Sequence, residues 1–143
     1  TKIDLRFAAA APRRMYFVSA AGNEPAAPNL LPDPDDAGAP RFLIPRNVAD
    51  HGEHMRITVP ASGFNDVRIY SVNPHMHLVG THIAARIERA HPPTGQPATE
   101  CLANGGWNFD WQRTYIYDAP IAALPTVQQG DVIDAEVVDE KKS

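Results

Sequence analysis

The sequence contains a single cysteine, Cys101, among its 143 residues. One thiol cannot form a disulfide within the chain, and it cannot supply the several thiolates of a cysteine-based zinc site. The chain also lacks an uninterrupted apolar run close to the ~20 residues that a membrane-spanning helix needs. We therefore expect no membrane span.

An excess of basic residues is absent as well. The 13 lysines and arginines stand against 17 aspartates and glutamates, which gives a formal net charge of -4. Such a balance does not favour nucleic acid or an anionic membrane as a partner. The phosphate-binding loop, the dinucleotide-binding glycine fingerprint and the Gly-x-Ser-x-Gly nucleophile motif are also missing from the sequence.

Proline is abundant instead, with 14 residues, about twice its usual share. Because proline breaks helices and is tolerated at strand ends and turns, this count favours short strands joined by loops. The length suits one domain, which we place at residues 1–143. Residues 22–40, rich in proline and acidic side chains, are predicted to form an exposed loop within it.

Period-two alternation of apolar residues predicts the strands. The segment at 83–90 is rich in helix formers, but it lies between Gly80 and Pro92-Pro93, and we interpret it as a strand. Short strands separated by turn residues predict an all-β fold, an antiparallel, jelly-roll-like β-sandwich. The predicted strands are 14–18, 42–44, 55–59, 66–72 continuing through the histidines at 75–80, 83–90, 107–111, 114–117 and 132–138.

The sharpest local motif is Pro74-His75-Met76-His77-Leu78-Val79-Gly80. In a strand, residues two apart project from the same face, so His75 and His77 are predicted to present their imidazoles side by side. Imidazole is a common ligand for zinc and copper. Met76 would then point the other way, into the core. The ordinary alternative is a pair of exposed or hydrogen-bonded histidines.

The remaining histidines are weaker candidates. His51 and His54 lie in the polar stretch Asp50-His51-Gly52-Glu53-His54, which we interpret as a solvated turn, and His91 precedes Pro92-Pro93. His82, beyond Gly80, is the one retained as a third candidate ligand or as a donor to a ligand.

An aromatic motif follows downstream. Trp107, Phe109 and Trp111 alternate, and Tyr115 and Tyr117 extend the pattern. Aromatic side chains dominate small cores, so packing between strands is the ordinary interpretation. An exposed platform that stacks on sugar rings is the alternative.

Together these motifs resemble one known family. Their order is similar to that in the carboxy-terminal domain of copper type II, ascorbate-dependent monooxygenases, the group that includes peptidylglycine α-hydroxylating and dopamine β-hydroxylating enzymes. The resemblance covers the chain from about Asp4 to Ala135. The matching segments are Phe42-Leu43-Ile44-Pro45, Val72-Asn73-Pro74-His75-Met76-His77-Leu78-Val79-Gly80, Glu100-Cys101-Leu102, Trp107-x-Phe109-Asp110-Trp111-Gln112-x-x-Tyr115 and Gly130-Asp131-Val132-Ile133.

The resemblance implies an antiparallel β-sandwich in which His75 and His77 are two ligands of a copper ion that binds dioxygen and hydroxylates a C–H bond. It also implies a small organic or peptide substrate, a second copper in an amino-terminal partner domain, and ascorbate as reductant. The compartment it implies is extracellular or periplasmic. By itself, the chain is expected to bind copper weakly and not to turn over.

The sequence also departs from the family pattern. The family's third ligand is a methionine in a strand beyond the position of Ser143, Val137 stands where a cysteine is usual, and Asn73 stands where some relatives carry a substrate-binding arginine. These departures, with the missing partner domain, keep a second hypothesis open. In that hypothesis the chain is a non-catalytic β-sandwich that acts as an interaction or structural module.

Overall fold

A computed structural model describes residues 2–4, 7, 9–10, 30–33, 36–38, 42–46, 48, 51–61, 67–78 and 80–139. The predicted strand at 14–18 lies outside these residues. Nine strands are present in the described part: β1 Leu30–Leu31, β2 His51–Thr58, β3 Val67–Arg68, β4 Ser71–Val72, β5 His82–Glu88, β6 Thr99–Gly106, β7 Tyr115–Ile116, β8 Thr126–Val127 and β9 Val132–Asp139. Two short 3-10 turns, Phe109–Trp111 and Ile121–Ala123, complete the elements.

The strands pair throughout in antiparallel fashion, which confirms the predicted all-β fold. One five-stranded sheet has the order β1-β2-β9-β5-β6, and two small sheets pair β3 with β8 and β4 with β7. The last long strand, β9, therefore lies in the middle of the large sheet, between β2 and β5. None of the helical segments in the described ranges reaches the length and apolarity that a membrane crossing requires.

The main core lies between the large sheet and the two small sheets. Ile87 of β5 and Leu102 of β6 are buried against Val59 and against Val127 of β8. Partly buried residues of the small sheets and of β9 surround this cluster. Because apolar residues from opposing sheets meet here, burial of this surface holds the layers together.

A second, smaller cluster lies beside the histidine motif. It consists of Met76, Ile83 of β5 and Val137 of β9, with Phe42 and Trp107 packed against it. Met76 is 8% exposed, so its prediction as a core residue is confirmed. This cluster anchors the segment that carries His75 and His77.

The large strands agree with the alternation in the sequence. The strands predicted at 55–59, 83–90 and 132–138 are found as β2, β5 and β9. The segment at 83–90 is a strand despite its helix formers because it pairs with β6 on one side and β9 on the other. Tertiary pairing overrides local propensity here.

Several predictions at shorter segments are wrong. Phe42–Ile44 is not in a strand, and in the strand predicted at 66–72 the described residues 67–72 divide into β3 and β4, with Ile69 and Tyr70 between them. The predicted strand at 107–111 is a loop and a 3-10 turn, because the Asn108 side chain accepts a hydrogen bond from the Asp110 amide and curls the chain.

The predicted exposed loop at 22–40 also differs from the structure where it is described. Leu30 and Leu31 form β1, which pairs with β2. Asp33 is 8% exposed, and its Oδ2 accepts a hydrogen bond of 2.7 Å from the backbone amide of His54. The carboxylate is buried because it extends the edge of the sheet by satisfying that amide.

Candidate metal centre

The histidine motif occupies an extended segment rather than a strand. The chain leaves β4 at Val72, and residues 73–77 carry no strand pairing. Pro74 has no amide hydrogen to contribute to a ladder. Burial still alternates, because Met76 is buried while His75 and His77 are exposed. The predicted strand is therefore wrong, but its alternation of side chains is present.

The two imidazoles lie side by side. The ring centroids of His75 and His77 are 5.3 Å apart, and the ring planes meet at 83°. Both side chains project from the face of the segment opposite to Met76. The structure thus brings together the two residues that the sequence singled out, and their role as metal ligands stays a prediction.

Residues from the aromatic motif surround the pair. The Trp107 ring makes an edge contact with His75, with centroids 6.2 Å apart, and Phe109 makes a similar contact with His77 at 6.4 Å. Oε1 of Gln112 lies 2.8 Å from Nδ1 of His75 and accepts a hydrogen bond from it. The motifs at 74–80 and 107–112 therefore form one surface site.

A close packing contact between Gly80 and Met76 fixes the histidine segment on its buried side. The Cα of Gly80 lies so near the Met76 side chain that a Cβ at this position would be 2.5 Å from Sδ and 2.7 Å from Cε. Only glycine leaves this space free. The contact keeps Met76 in the second cluster and so sets the position of the histidines on either side of it.

His82 is not brought to the pair. It begins β5, where Ile83 packs against Met76 on the core side of the sheet. Because neighbouring residues of a strand point to opposite faces, His82 faces the other side of the sheet. Within the described ranges, no group of three or more histidine, cysteine, aspartate or glutamate side chains is arranged to hold a metal.

The aromatic motif is less buried than a core assignment requires. Trp107 and Tyr117 are half-buried, whereas Phe109 is 40%, Trp111 63% and Tyr115 53% exposed. The prediction of core packing is therefore wrong for these last three residues. Trp111 instead carries the Arg113 guanidinium over its ring, 4.3 Å from the centroid, a cation–π contact at the surface.

His51 and His54, predicted in a solvated turn, lie in β2 and are half-buried. His51 Nε2 is 2.8 Å from Oε2 of the buried Glu53, and His54 Nδ1 is 3.0 Å from Oδ1 of Asp134 on β9. Acidic partners on the same strand and across the sheet make the burial of these polar residues tolerable. His51 and Glu53 are two residues apart in the sequence, which places both side chains on the same face of a strand, and this spacing is the sequence signal that indicates their contact.

Two further features lie away from the histidine pair. A surface cavity of about 390 Å³ is lined mainly by polar residues, among them Arg68, Arg89 and Glu100, and by no histidine. Cys101, on β6, is a free and exposed thiol. The candidate site is thus an open surface and not this cavity.

Comparison of the chain with protein-family models, with curated proteins and with solved structures found no match. The resemblance to copper monooxygenases therefore stays a prediction that rests on the sequence motifs.

Proposed function

We propose that this chain is the catalytic-copper half of an ascorbate-dependent monooxygenase, with His75 and His77 as two of the copper ligands. The observation that supports the proposal is the contact between their rings, with centroids 5.3 Å apart on an exposed surface. Two adjacent imidazoles are a donor set that suits copper. The proposal includes the jelly-roll-like arrangement of the sandwich and an extracellular or periplasmic location.

The protein's part in such a site is to hold and orient the two rings. Met76 anchors the segment in the second cluster, while Trp107 and Phe109 restrict the rings from the side. When bound, copper would supply activation of dioxygen for hydroxylation of a C–H bond in a small organic or peptide substrate. Ascorbate would be the reductant, and an amino-terminal domain with its own copper would be the partner.

A Cu(I) titration tests the proposal. The chain is titrated under ascorbate against a chromophoric Cu(I) competitor, with His75→Ala and His77→Ala as variants. We expect one ion per chain, and each variant should lose at least about 1.4 kcal/mol of binding free energy, which is tenfold in affinity. His91→Ala, which removes an exposed histidine of a turn, is the matched control and should bind as the wild type does.

Equal affinity and stoichiometry in the wild type and in the two variants would overturn the copper proposal. The alternative is then a non-catalytic interaction or structural module. The exposure of Trp111, Tyr115 and Ile116, each above half, favours that alternative because large apolar side chains at a surface are typical of contact sites.

A further inference from the structure

The side-chain amide of Gln112 has a defined orientation. Gln112 follows directly after the 3-10 turn, and its Nε2 donates a hydrogen bond of 3.2 Å to the backbone carbonyl of Phe109. An amide nitrogen only donates and an amide oxygen only accepts. The reverse orientation would place two acceptors against each other at Phe109, so Oε1 is the atom that faces His75.

This orientation determines which nitrogen of His75 carries the proton. Oε1 of Gln112 lies 2.8 Å from Nδ1 of His75 and has no hydrogen to donate. Nδ1 must therefore be the donor. In the neutral ring the lone pair then resides on Nε2, the only nitrogen left to bind a metal.

We propose that Gln112 is a positioning residue that holds His75 in the Nδ1–H tautomer and so presents Nε2 as its metal-binding atom. The inference rests on the proposed copper site and adds the ligand atom and the residue that selects it. Hydrogen bonds from the second nitrogen of a ligating histidine fix both its tautomer and its ring orientation, and their loss typically weakens metal binding about 10–100-fold.

The rings next to His75 support the same role. Trp107 and His77 each contact the His75 ring edge to face, at 83°. Together with Gln112 they limit rotation of this imidazole. In the described part of the chain no hydrogen bond holds the His77 ring, so His75 is the preorganised member of the pair and His77 serves as an internal comparison.

The tautomer can be measured directly on the metal-free chain. Long-range ¹H–¹⁵N correlation spectra at pH 8, where an ordinary histidine is neutral, distinguish Nδ1–H from Nε2–H in each ring. The variants are Gln112→Leu, which removes the acceptor, and Gln112→Glu, which keeps an acceptor oxygen for Nδ1 of His75 but loses the hydrogen bond to the Phe109 carbonyl. Gln129→Leu, in the exposed turn before β9, is the matched control.

We expect His75 to be in the Nδ1–H form in the wild type, in Gln112→Glu and in Gln129→Leu. In Gln112→Leu the tautomer should shift toward Nε2–H, and Cu(I) affinity should fall about tenfold. Because Gln112 is exposed in a loop, the variant should fold, and the unchanged tautomer of His77 checks this within the same spectrum.

Two results would overturn the inference. One is an Nε2–H tautomer of His75 in the wild type. The other is a Gln112→Leu chain with wild-type tautomer and copper affinity while His75→Ala and His77→Ala lose copper, which would leave the proposed function intact. If the wild type binds no Cu(I), the proposed function fails, and the assignment of Nε2 as a ligand atom fails with it, whatever the spectrum shows of the Gln112 contact.

Discussion

Arg86 and Asp134 form an ion pair between neighbouring strands in the middle of the large sheet. They lie directly opposite each other in the pairing of β5 with β9, and Nη2 of Arg86 is 2.5 Å from Oδ2 of Asp134. The Asp134 side chain is 1% exposed and also lies 3.0 Å from Nδ1 of His54. Arginine and histidine therefore hold one buried carboxylate between three strands.

Replacing this carboxylate should destabilise the fold. Asp134→Asn keeps the size of the side chain and removes its charge, so Arg86 loses its buried partner. Breaking a buried pair costs about 3–5 kcal/mol. Since the Arg86 side chain is 34% exposed and keeps Glu88 and Glu136 as partners, we expect a smaller loss of about 1–3 kcal/mol in the free energy of unfolding, measured by urea denaturation. The exposed Asp118→Asn should change it by less than about 0.5 kcal/mol, and an equally small change in Asp134→Asn would contradict the prediction.

Glu88 should make the free energy of unfolding depend on pH in the acid range. Burial raises the pKa of Glu88, but the hydrogen bond and charge of Arg56 and then of Arg86 outweigh it, so the pKa lies below its ordinary value of 4.5. The charged form thus stabilises the fold above pH 4.5, and this contribution is lost as the pH falls through the lower folded pKa. Wild type should be more stable than Glu88→Gln at pH 7.

The measurement is the free energy of unfolding of both chains from pH 7 to pH 2. The difference between them should shrink below pH 4.5 and vanish in strong acid. A difference that stays constant across this range would show that Glu88 contributes through packing and not through its charge.

Tyr117 should make the free energy of unfolding depend on pH in the alkaline range, whereas Glu88 does so in the acid range. Burial, with the nearby charges of Cys101 and Glu100, raises the pKa of Tyr117 above 10, and its hydroxyl donates a hydrogen bond of 2.8 Å to the carbonyl of Leu102. Tyr117→Phe should cost about 1 kcal/mol at neutral pH. The neutral phenol is favoured in the folded chain, so wild-type stability should fall relative to Tyr117→Phe as the pH rises above 10. A pH-independent difference in thermal unfolding would contradict this.

Adding a single methyl group at Gly80 should lower the free energy of unfolding. In Gly80→Ala the new Cβ would overlap Sδ and Cε of Met76, and the buried cluster leaves that side chain little room to move. Overpacking of this kind costs about 1–3 kcal/mol. Gly105→Ala, where a Cβ meets nothing within 4 Å, is the matched control and should be close to neutral.

A double-mutant cycle identifies the cause of the Gly80 effect. If the overlap with Met76 is responsible, Met76→Ala should remove the additional cost of Gly80→Ala, with a coupling energy of about 0.5–3 kcal/mol. Additive effects of the two substitutions would instead indicate a backbone requirement at Gly80.

The long strands could be predicted from the sequence because their alternation reports burial on one face. β6 could not, since Thr99–Gly106 contains Glu100, Asn104 and two glycines and owes its conformation to pairing with β5. His54 was misplaced because its partner Asp134 lies 80 residues away. Sequence patterns describe neighbours along the chain, and these contacts arise only when strands assemble.

At the candidate site, too, the contact between neighbours in the sequence could be predicted, and the contact between distant residues could not. The side-by-side placement of His75 and His77 followed from their period-two spacing, although the segment is extended without strand pairing. The hydrogen bond between Gln112 and His75 does not follow from the sequence, because it joins residues 37 positions apart. The exposure of Trp111 was also missed, since an aromatic alternation does not reveal whether a second layer covers it.

The central position of β9 has a consequence for how the chain acquires its structure. β2 and β5 flank β9 and are not hydrogen-bonded to each other, so the large sheet stays in two parts until residues 132–139 enter between them. The β5–β6 hairpin can form early, whereas the β2–β9 ladder must close a loop of more than 70 residues, and such non-local pairing is slow. During synthesis on the ribosome, the edges of β2 and β5 that pair with β9 remain open until residues 132–139 have emerged, which makes this the stage most prone to aggregation.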